Sequence, residues 1–296
     1  MTTKNVSVDF FKLDSNDIKK SIQKLSTKLA EQKKDIASKK RSNIKIFDFH
    51  VRFAHLELSN NVWFGHLEKV RTEEYAVVGD LAGSRNTFAI NQDEGPVNDT
   101  TFFFWPSYGI IGIYRLREGV SHKSFVIFLD KLLSDEVKLN IILGEDQAKR
   151  LDKMRLVKKM EYKISRPNNA KFLKDENTGF FQEAKLIEQL NSNSMDIIIA
   201  AGKGKKLEKE QILKKARSIL NHNDKGIKVD KMKIIGRQHH DAVEETIDLI
   251  EDRMVYKEKL TIPKNKKVTP EMMIDVVQRA YADKRTELAR MYIDEE

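Results

Sequence analysis

Hydrophobic residues alternate at the start of the chain and then recur at helical spacing. Val6, Val8 and Phe10 fall on one side of an extended segment, which predicts a strand over residues 5–13. Apolar side chains then recur at steps of three, four or seven residues, at Ile18, Ile22, Leu25, Leu29 and Ile36. This spacing predicts an amphipathic helix, with Ser15 as its N-cap and Asp17 in its first turn.

The next segments are rich in β-branched and aromatic residues. Residues 43–78 are typical of short antiparallel strands, with a turn at Asn60 and Asn61. Residues 100–114 (TTFFFWPSYGIIGIY) contain a proline and two glycines, which predicts two core strands joined by a bend. Residues 124–133 (SFVIFLDKLL) form either a strand or a helix, because short apolar runs do not separate the two.

Charge density rises after residue 135, which predicts a boundary near residue 145 and two domains, 1–145 and 146–296. Residues 195–220 then predict a buried strand, a glycine–lysine turn and a basic helix. Residues 231–238 predict a further strand, and residues 245–262 predict a hairpin that turns at 251–253.

A closing helix is well marked by Thr269 at the N-cap and Pro270 at the first helical position. Its predicted apolar stripe is Met273, Val277, Ala280, Tyr281, Leu288 and Met291. The predicted fold class is therefore α/β in the α+β sense, with two domains of largely antiparallel sheets flanked by helices.

The charge is concentrated in two segments of this pattern. The 296-residue chain has a formal net charge of +9, from 54 Lys and Arg against 45 Asp and Glu. Residues 19–45 contain ten basic residues opposed by Glu31 and Asp35, and residues 203–217 contain seven opposed by Glu208 and Glu210. Such segments favour a polyanionic partner. For the first helix, a surface that lies on phosphates and an ordinary solvated face both remain open.

The Gly–Lys turn, residues 202–206 (GKGKK), is the strongest candidate for a phosphate contact. It is neither a nucleotide-triphosphate loop nor a dinucleotide fingerprint, but its glycines let backbone N–H groups approach an anion at a helix N-terminus. The predicted DNA-binding residues are Lys203, Lys205, Lys206, Lys209, Lys214, Lys33, Lys34, Lys39, Lys40 and Arg41.

Three other groups of residues are candidates for chemistry or stacking. Asp130 with residues 136–138 (Glu-Val-Lys) fits the letters of a metal-dependent nuclease, although so short a pattern arises easily by chance. The histidines at 50, 55, 66, 239 and 240 match no standard ligand spacing. Trp63, Trp105 and residues 102–104 form either core or a base-stacking platform. We therefore predict no catalytic residue, no metal and no cofactor.

Composition excludes several classes of protein. There is no cysteine, which excludes disulfides, thiolate catalysis and zinc held by cysteine. The longest apolar runs are strand-sized, whereas a membrane span needs roughly 20 residues. The first residues lack the features of a signal peptide. We expect a cytoplasmic protein without membrane insertion.

The order of features in the C-terminal half is similar to that of the RexA-like phage exclusion family. The similar pieces are residues 194–199 (SMDIII) with the basic helix, the Leu-x-x-Pro of residues 260–263, the Val-Thr turn, and a closing helix with Tyr281 near Arg279. Residues 102–114, followed by 125–133, resemble the family in outline. The likeness covers roughly the last hundred residues and extends to the RexA-like subunit of the Kiwa antiphage system.

This resemblance implies a cytoplasmic homodimer that binds double-stranded DNA with little sequence preference and aborts phage infection with a membrane-protein partner. It supplies no catalytic motif. The sequence leaves three functions open: DNA binding in phage exclusion, a metal-dependent nuclease built on Asp130 and Glu136, and a module that binds an acidic protein.

Overall fold

The structure, a computed structural model, describes residues 2–72, 77–79, 85–87, 94–116, 118–165, 179–222, 229–263 and 268–292. It divides into two compact units. Unit 1 comprises Met1–Leu139 and Val255–Glu296, and unit 2 comprises Asn140–Met254. Unit 2 is thus inserted, in sequence, between two segments of unit 1.

The described residues form fourteen strands and six α-helices. The strands are β1 (Thr2–Ser15), β2 (Ile44–Ile46), β3 (Phe49–Ser59), β4 (Val62–Val70), β5 (Val77–Gly79), β6 (Arg85–Thr87), β7 (Val97–Trp105), β8 (Ile110–Tyr114), β9 (Val137–Ile141), β10 (Leu156–Ser165), β11 (Ser194–Ala200), β12 (Val229–Arg237), β13 (Glu245–Asp248) and β14 (Val255–Ile262). The helices are α1 (Ile18–Ala37), α2 (His122–Leu133), α3 (Glu145–Lys153), α4 (Gly179–Gln189), α5 (Lys209–His222) and α6 (Pro270–Tyr292).

Unit 1 is built on an eight-stranded sheet in the order β14-β1-β8-β7-β4-β3-β2, with β9 also paired to β1. Neighbouring strands along this path are antiparallel. Asn60 and Asn61 both have positive φ, 48° and 60°, at the β3–β4 turn. That is the geometry of a tight type I′ hairpin, which asparagine tolerates. The predicted strands and this predicted turn are confirmed.

Helices cover both faces of the unit 1 sheet. Consecutive residues on a strand point to opposite faces, and the ring of Phe102 lies 5.2 Å from that of Phe125 in α2. The ring of Phe103 instead lies 5.5 Å from that of Tyr281 in α6. Helix α1 packs beside α2. Burial of both faces explains why residues 102–104 are uniformly apolar rather than alternating.

The ends of the unit 1 helices refine the sequence prediction. The N-cap of α1 is Asp17, whose carboxylate accepts a hydrogen bond from the Lys20 amide at 3.1 Å. The predicted cap, Ser15, instead donates its hydroxyl to Ser21 at 2.9 Å. Residues 124–133, which the sequence left open, are helical, and Ser121 caps this helix α2.

The C-terminal strand and helix belong to unit 1. Residues 2–9 of β1 pair with residues 255–262 of β14, and α6 packs on the centre of the same sheet. The predicted division into 1–145 and 146–296 puts them in a second domain instead. The predicted hairpin over 245–262 is also wrong, because β13 pairs with β12 whereas β14 pairs with β1. Two strands next to each other in sequence therefore lie in different sheets.

Unit 2 is a four-stranded antiparallel sheet in the order β11-β10-β12-β13. Its helices α3, α4 and α5 share one buried cluster with the inward side chains of the sheet, such as Met160, Tyr162 and Ile234. The predicted α+β class with antiparallel sheets and flanking helices is confirmed for the chain.

The other face of the unit 2 sheet is charged. Lys159, Glu161 and Lys163 alternate with the buried residues of β10, and Lys231 and Lys233 do the same on β12. Strand β11 lies at the sheet edge, and its Ile198 side chain is 62% exposed. The prediction of a buried strand there is wrong, because Ile198 pairs with Glu161 on the charged face of the sheet, opposite the face that the helices of unit 2 cover.

Candidate nucleic-acid-binding surfaces

The Gly–Lys turn, residues 202–206, is a defined β-turn. The Lys205 amide donates to the Gly202 carbonyl at 2.9 Å, and Gly204 at the third position has φ of +74°. A positive φ at this position favours glycine. The Lys158 ammonium donates to the Lys205 carbonyl at 2.8 Å and ties the turn to β10. The turn thereby holds the side chains of Lys203, Lys205 and Lys206 on the surface, where all three are exposed.

The turn does not form the N-terminus of α5. Leu207 comes between them, and its amide donates to the Val157 carbonyl of β10 at 2.8 Å. The helix itself begins at Lys209. The prediction that the glycines place backbone N–H groups at a helix N-terminus is therefore wrong. What the turn presents is three lysine side chains.

Two lysines of the basic helix α5 are engaged inside unit 2. The Lys209 ammonium donates to the carbonyls of Leu151 and Asp152, at 2.6 and 2.9 Å, and so satisfies the C-terminal end of α3. The Lys215 ammonium donates at 3.1 Å to the Glu183 carboxylate, which also accepts from the buried Tyr162 hydroxyl. Lys209 is thus a poor candidate for a phosphate contact.

The exposed face of α5 carries Lys214 and Arg217. Neither side chain forms a hydrogen bond or ion pair with any residue in the described part of the chain. Of the residues that the sequence predicts in this segment, the structure thus leaves Lys203, Lys205, Lys206 and Lys214 available to a partner.

The second predicted surface, which we call the α1-end cluster, consists of Lys33, Lys34, Lys39, Lys40 and Arg41. All five side chains are exposed. Helix α1 ends as Lys39 adopts a left-handed conformation with φ of +59°, while the amides of Lys39 and Lys40 bond carbonyls of the last helical turn. This fold-back places the cations at the negative end of the helix dipole, which stabilises them.

Within the residues that the structure describes, Arg41 is the one member of the α1-end cluster with an acidic partner. Its guanidinium lies 3.7 Å from the Glu68 carboxylate, which also binds Arg52 at 2.6 Å. For Lys33, Lys34, Lys39 and Lys40, the same part of the chain provides no acidic partner. The cluster therefore presents uncompensated positive charge.

Lysines on the charged face of the unit 2 sheet are, in contrast, compensated. Glu161 receives the ammonium groups of Lys159 and Lys231 at 2.7 and 2.6 Å. Lys233 lies 3.5 Å from Asp248, and Lys163 lies 4.0 Å from Asp196. The hydrogen bonds from Lys159 and Lys231 lower the pKa of Glu161 to about 2. This face is thus rich in lysine without offering free positive charge.

The predicted aromatic platform is part of the core. Trp63 and residues 102–104 are buried. Trp105 packs its ring 5.2 Å from that of Tyr281. An exposed aromatic residue does lie elsewhere: Phe47, at the β2–β3 turn, is 48% exposed. Sequence reasoning missed Phe47 because it sits within an apolar run that predicts strands.

The nuclease constellation does not converge on a cation site. The Asp130 carboxylate accepts the Val137 amide at 2.8 Å and fixes the entry to β9. Burial above all raises the pKa of Asp130. Glu136 is exposed and lies 3.6 Å from Lys138. In the described part of the chain, no three His, Asp or Glu side chains are arranged to hold a metal ion.

The candidate histidines also have ordinary surroundings. His66 is buried, and its Nε2 lies 2.6 Å from the Asp99 carboxylate on the neighbouring strand β7. His239 and His240 are exposed in the loop after β12. None of the five candidate histidines belongs to a metal-binding group among the residues described.

Unit 2 contains an apolar cavity of about 110 Å³. Leu151, Leu213 and Leu249 contribute to its wall, and Arg217 is the charged residue in the lining. A single guanidinium provides neither a nucleophile nor a general acid–base pair. The cavity therefore gives no support to an enzymatic function.

No helix in the described residues is long and apolar enough to cross a membrane.

Comparison with other proteins places the chain in a family. No curated protein matches the chain. Residues 1–289 match the model of a family of unknown function, DUF6731, so the match spans both units. The chain therefore belongs to the DUF6731 family.

Proposed function

We propose that this protein binds double-stranded DNA through the phosphate backbone, without sequence preference. The observation that supports this most is the α1-end cluster, five exposed cations of which four lysines have no acidic partner in the described chain. Such a group gains free energy by replacing the counterions condensed on a duplex. The lysines of the Gly–Lys turn supply a second surface of the same kind.

The chemistry of these side chains favours phosphate contacts over base reading. A lysine ammonium is a compact point charge on a flexible stem, whereas base recognition uses bidentate groups held in fixed positions. Of the five residues in the α1-end cluster, Arg41 alone carries the rigid planar fork that fits a base edge best, and its guanidinium already lies near Glu68. Binding should therefore depend on salt and vary little with sequence.

The wider role rests on the resemblance to the RexA-like family. We include in the proposal a cytoplasmic homodimer that acts in phage exclusion or antiphage defence together with a membrane-protein partner. The DUF6731 match carries no functional information on this point. DNA binding by exposed lysines does not depend on the resemblance to the RexA-like family, so it is tested first.

The direct test is to titrate the full chain into two fluorescent duplexes of unrelated sequence over a series of salt concentrations. We expect equal affinities for both duplexes and a linear fall of log K with log salt. Absence of binding at low salt would overturn the proposal. A strong preference for one duplex would overturn its sequence-independent part.

Two further measurements, added to this titration, separate the two alternatives. Incubation of plasmid with the protein and Mg²⁺ or Mn²⁺ should leave the plasmid intact, whereas cleavage that is abolished in an Asp130→Asn variant would favour the nuclease. A module for an acidic protein predicts no duplex binding even at low salt, together with binding to an acidic polypeptide such as polyglutamate.

A further inference from the structure

Phe47 lies at the tip of the shortest hairpin in the unit 1 sheet. Ile46 and Phe49 are paired across β2 and β3, so that Phe47 and Asp48 form a two-residue turn. The Phe47 side chain is 48% exposed, although Ile46 and Phe49 on either side of the turn are buried. A large aromatic ring is thus held at the surface by two anchored neighbours.

The backbone of Phe47 is strained. Its φ is +53°, at the first central position of the turn, where hairpins normally use glycine. A bulky residue in this region is a genuine outlier. Strain of this kind persists only when the surrounding structure over-determines it, and it concentrates at sites where function selects the residue. The protein therefore retains an exposed ring where a glycine would fold more easily.

One cation lies over the Phe47 ring, which also lies 6.5 Å from the ring of Phe49. The Lys123 ammonium lies 5.0 Å from the centre of the Phe47 ring. Lys45, two residues earlier, is exposed, and the Lys131 ammonium donates to the Lys45 carbonyl at 2.7 Å. Asp48, the other residue of the turn, is the acidic neighbour in sequence. The hairpin thus combines an exposed aromatic ring with one lysine over the ring and two further lysines on or beside its strand β2, a combination that suits stacked bases flanked by phosphates.

The α1-end cluster leads directly into this hairpin. Arg41 precedes Phe47 by six residues, a stretch of chain that spans at most about 20 Å. A duplex presents one phosphate charge for every 1.7 Å or so of its axis. This spacing is short enough for one duplex to reach both the cluster and the ring.

We infer that Phe47 is a wedge that inserts between base pairs of the bound duplex and partly unstacks them, while the α1-end cluster holds the phosphates. Apolar wedges of this type kink DNA toward the major groove and form no hydrogen bonds with base edges. The inference rests on the proposed DNA binding and adds to it a local distortion of the duplex.

The test uses a duplex containing 2-aminopurine, whose fluorescence rises when the base unstacks. The variants are Phe47→Gly, which removes the ring and suits the positive φ, and Phe47→Trp, which keeps an aromatic ring. The matched control is Leu58→Ala, because Leu58 is 46% exposed at the far end of β3, about 30 Å away at the rise of a strand. Thermal unfolding checks that each variant is folded.

We expect the wild type, Phe47→Trp and Leu58→Ala to raise the fluorescence. Phe47→Gly should bind about tenfold more weakly, without the rise and with an unchanged slope of log K against log salt, because the lysines still neutralise the same phosphates. Wild-type binding without a fluorescence rise, or a Phe47→Gly variant that behaves as the wild type, would overturn the wedge alone. A wild type that binds no duplex would overturn both the wedge and the proposed function.

Discussion

The two sheets of this protein differ in how many of their faces are covered by helices. In unit 1, helices cover both faces of the sheet, and consecutive residues such as Phe102, Phe103 and Phe104 are all buried. In unit 2, the helices pack against one face, and the other face is a ladder of lysines and acids. Unit 1 therefore uses its strands to build a core, whereas unit 2 leaves half of its strand residues at a charged surface.

The surface lysines of the protein are of two kinds, those with an acidic partner and those without one in the described chain. The lysines on the unit 2 sheet are charged but paired, so their field is neutralised locally by Glu161, Asp196 and Asp248. The lysines of the α1-end cluster and the Gly–Lys turn project from a helix end and from a turn, where the described chain places no acid against them. Under the proposed function, the lysines that bind DNA are those without acidic partners, and the number of lysines in a segment does not identify them.

The largest effect expected from this comparison is on stability. Phe103→Ala removes a fully buried ring that packs against Phe10 and Tyr281, and it should lower the free energy of unfolding by about 3–5 kcal/mol. Urea unfolding followed by tryptophan fluorescence measures this loss in unit 1, which contains both tryptophans, Trp63 and Trp105.

The matched change in unit 2 is Ile198→Ala, on the edge strand β11. Because Ile198 is 62% exposed, this substitution should alter the free energy of unfolding by no more than about 0.5 kcal/mol, measured by far-UV circular dichroism. Losses of similar size at Phe103 and Ile198 would contradict the contrast between a sheet covered on both faces and one covered on a single face.

A loss of stability smaller than that of Phe103→Ala should appear in acid. The Glu161 carboxyl has a pKa of about 2 in the folded protein, against an ordinary value of about 4.5, because Lys159 and Lys231 donate to it. A depressed carboxyl pKa stabilises the fold at pH values above the ordinary one, and this contribution is lost as the pH falls from about 4.5 towards 2. Screening near the surface should limit it to about 1 kcal/mol.

Glu161→Gln tests this pairing. The variant should be slightly less stable than the wild type at pH 7, and the difference should shrink between pH 4.5 and pH 2, as measured by urea unfolding at each pH. Glu136→Gln is the control, since Glu136 is 73% exposed and sits in a weak contact of 3.6 Å with Lys138. A difference that does not change with pH would contradict the pairing of Lys159 and Lys231 with Glu161.

Local patterns predicted most of the elements correctly. The alternation at Val6, Val8 and Phe10 identified β1, and Thr269 with Pro270 marked the start of α6. These signals work because the period of buried side chains and the chemistry of a cap are properties of a few neighbouring residues. These signals could not show that residues 122–133 are helical. A short apolar run has no clear period, so it is compatible with a buried helix and with a buried strand.

Long-range pairing could not be predicted in the same way. Residues 245–262 resemble a hairpin, yet β13 and β14 pair with strands other than each other, in two different sheets. Nothing local distinguishes a turn between paired strands from a connection that leaves one sheet for another. The same limit applies to the candidate surfaces: the pairing of Lys209 with α3, and the exposure of Phe47, depend on contacts that a single sequence does not display.

The central claim is that unpartnered lysines, rather than lysines as such, bind DNA. It is tested most directly by the slope of log K against log salt for two variants that each remove four charges. The first, the α1-end variant, carries Lys33→Gln, Lys34→Gln, Lys39→Gln and Lys40→Gln. The second, the sheet-face variant, carries Lys159→Gln, Lys163→Gln, Lys231→Gln and Lys233→Gln.

The α1-end variant should bind more weakly, and its slope should flatten by about one unit for each phosphate that it no longer neutralises. The sheet-face variant has the same change in net charge and should keep the wild-type slope, because its lysines are already paired. A folded α1-end variant with the wild-type slope, or a sheet-face variant whose slope flattens as much, would contradict the claim.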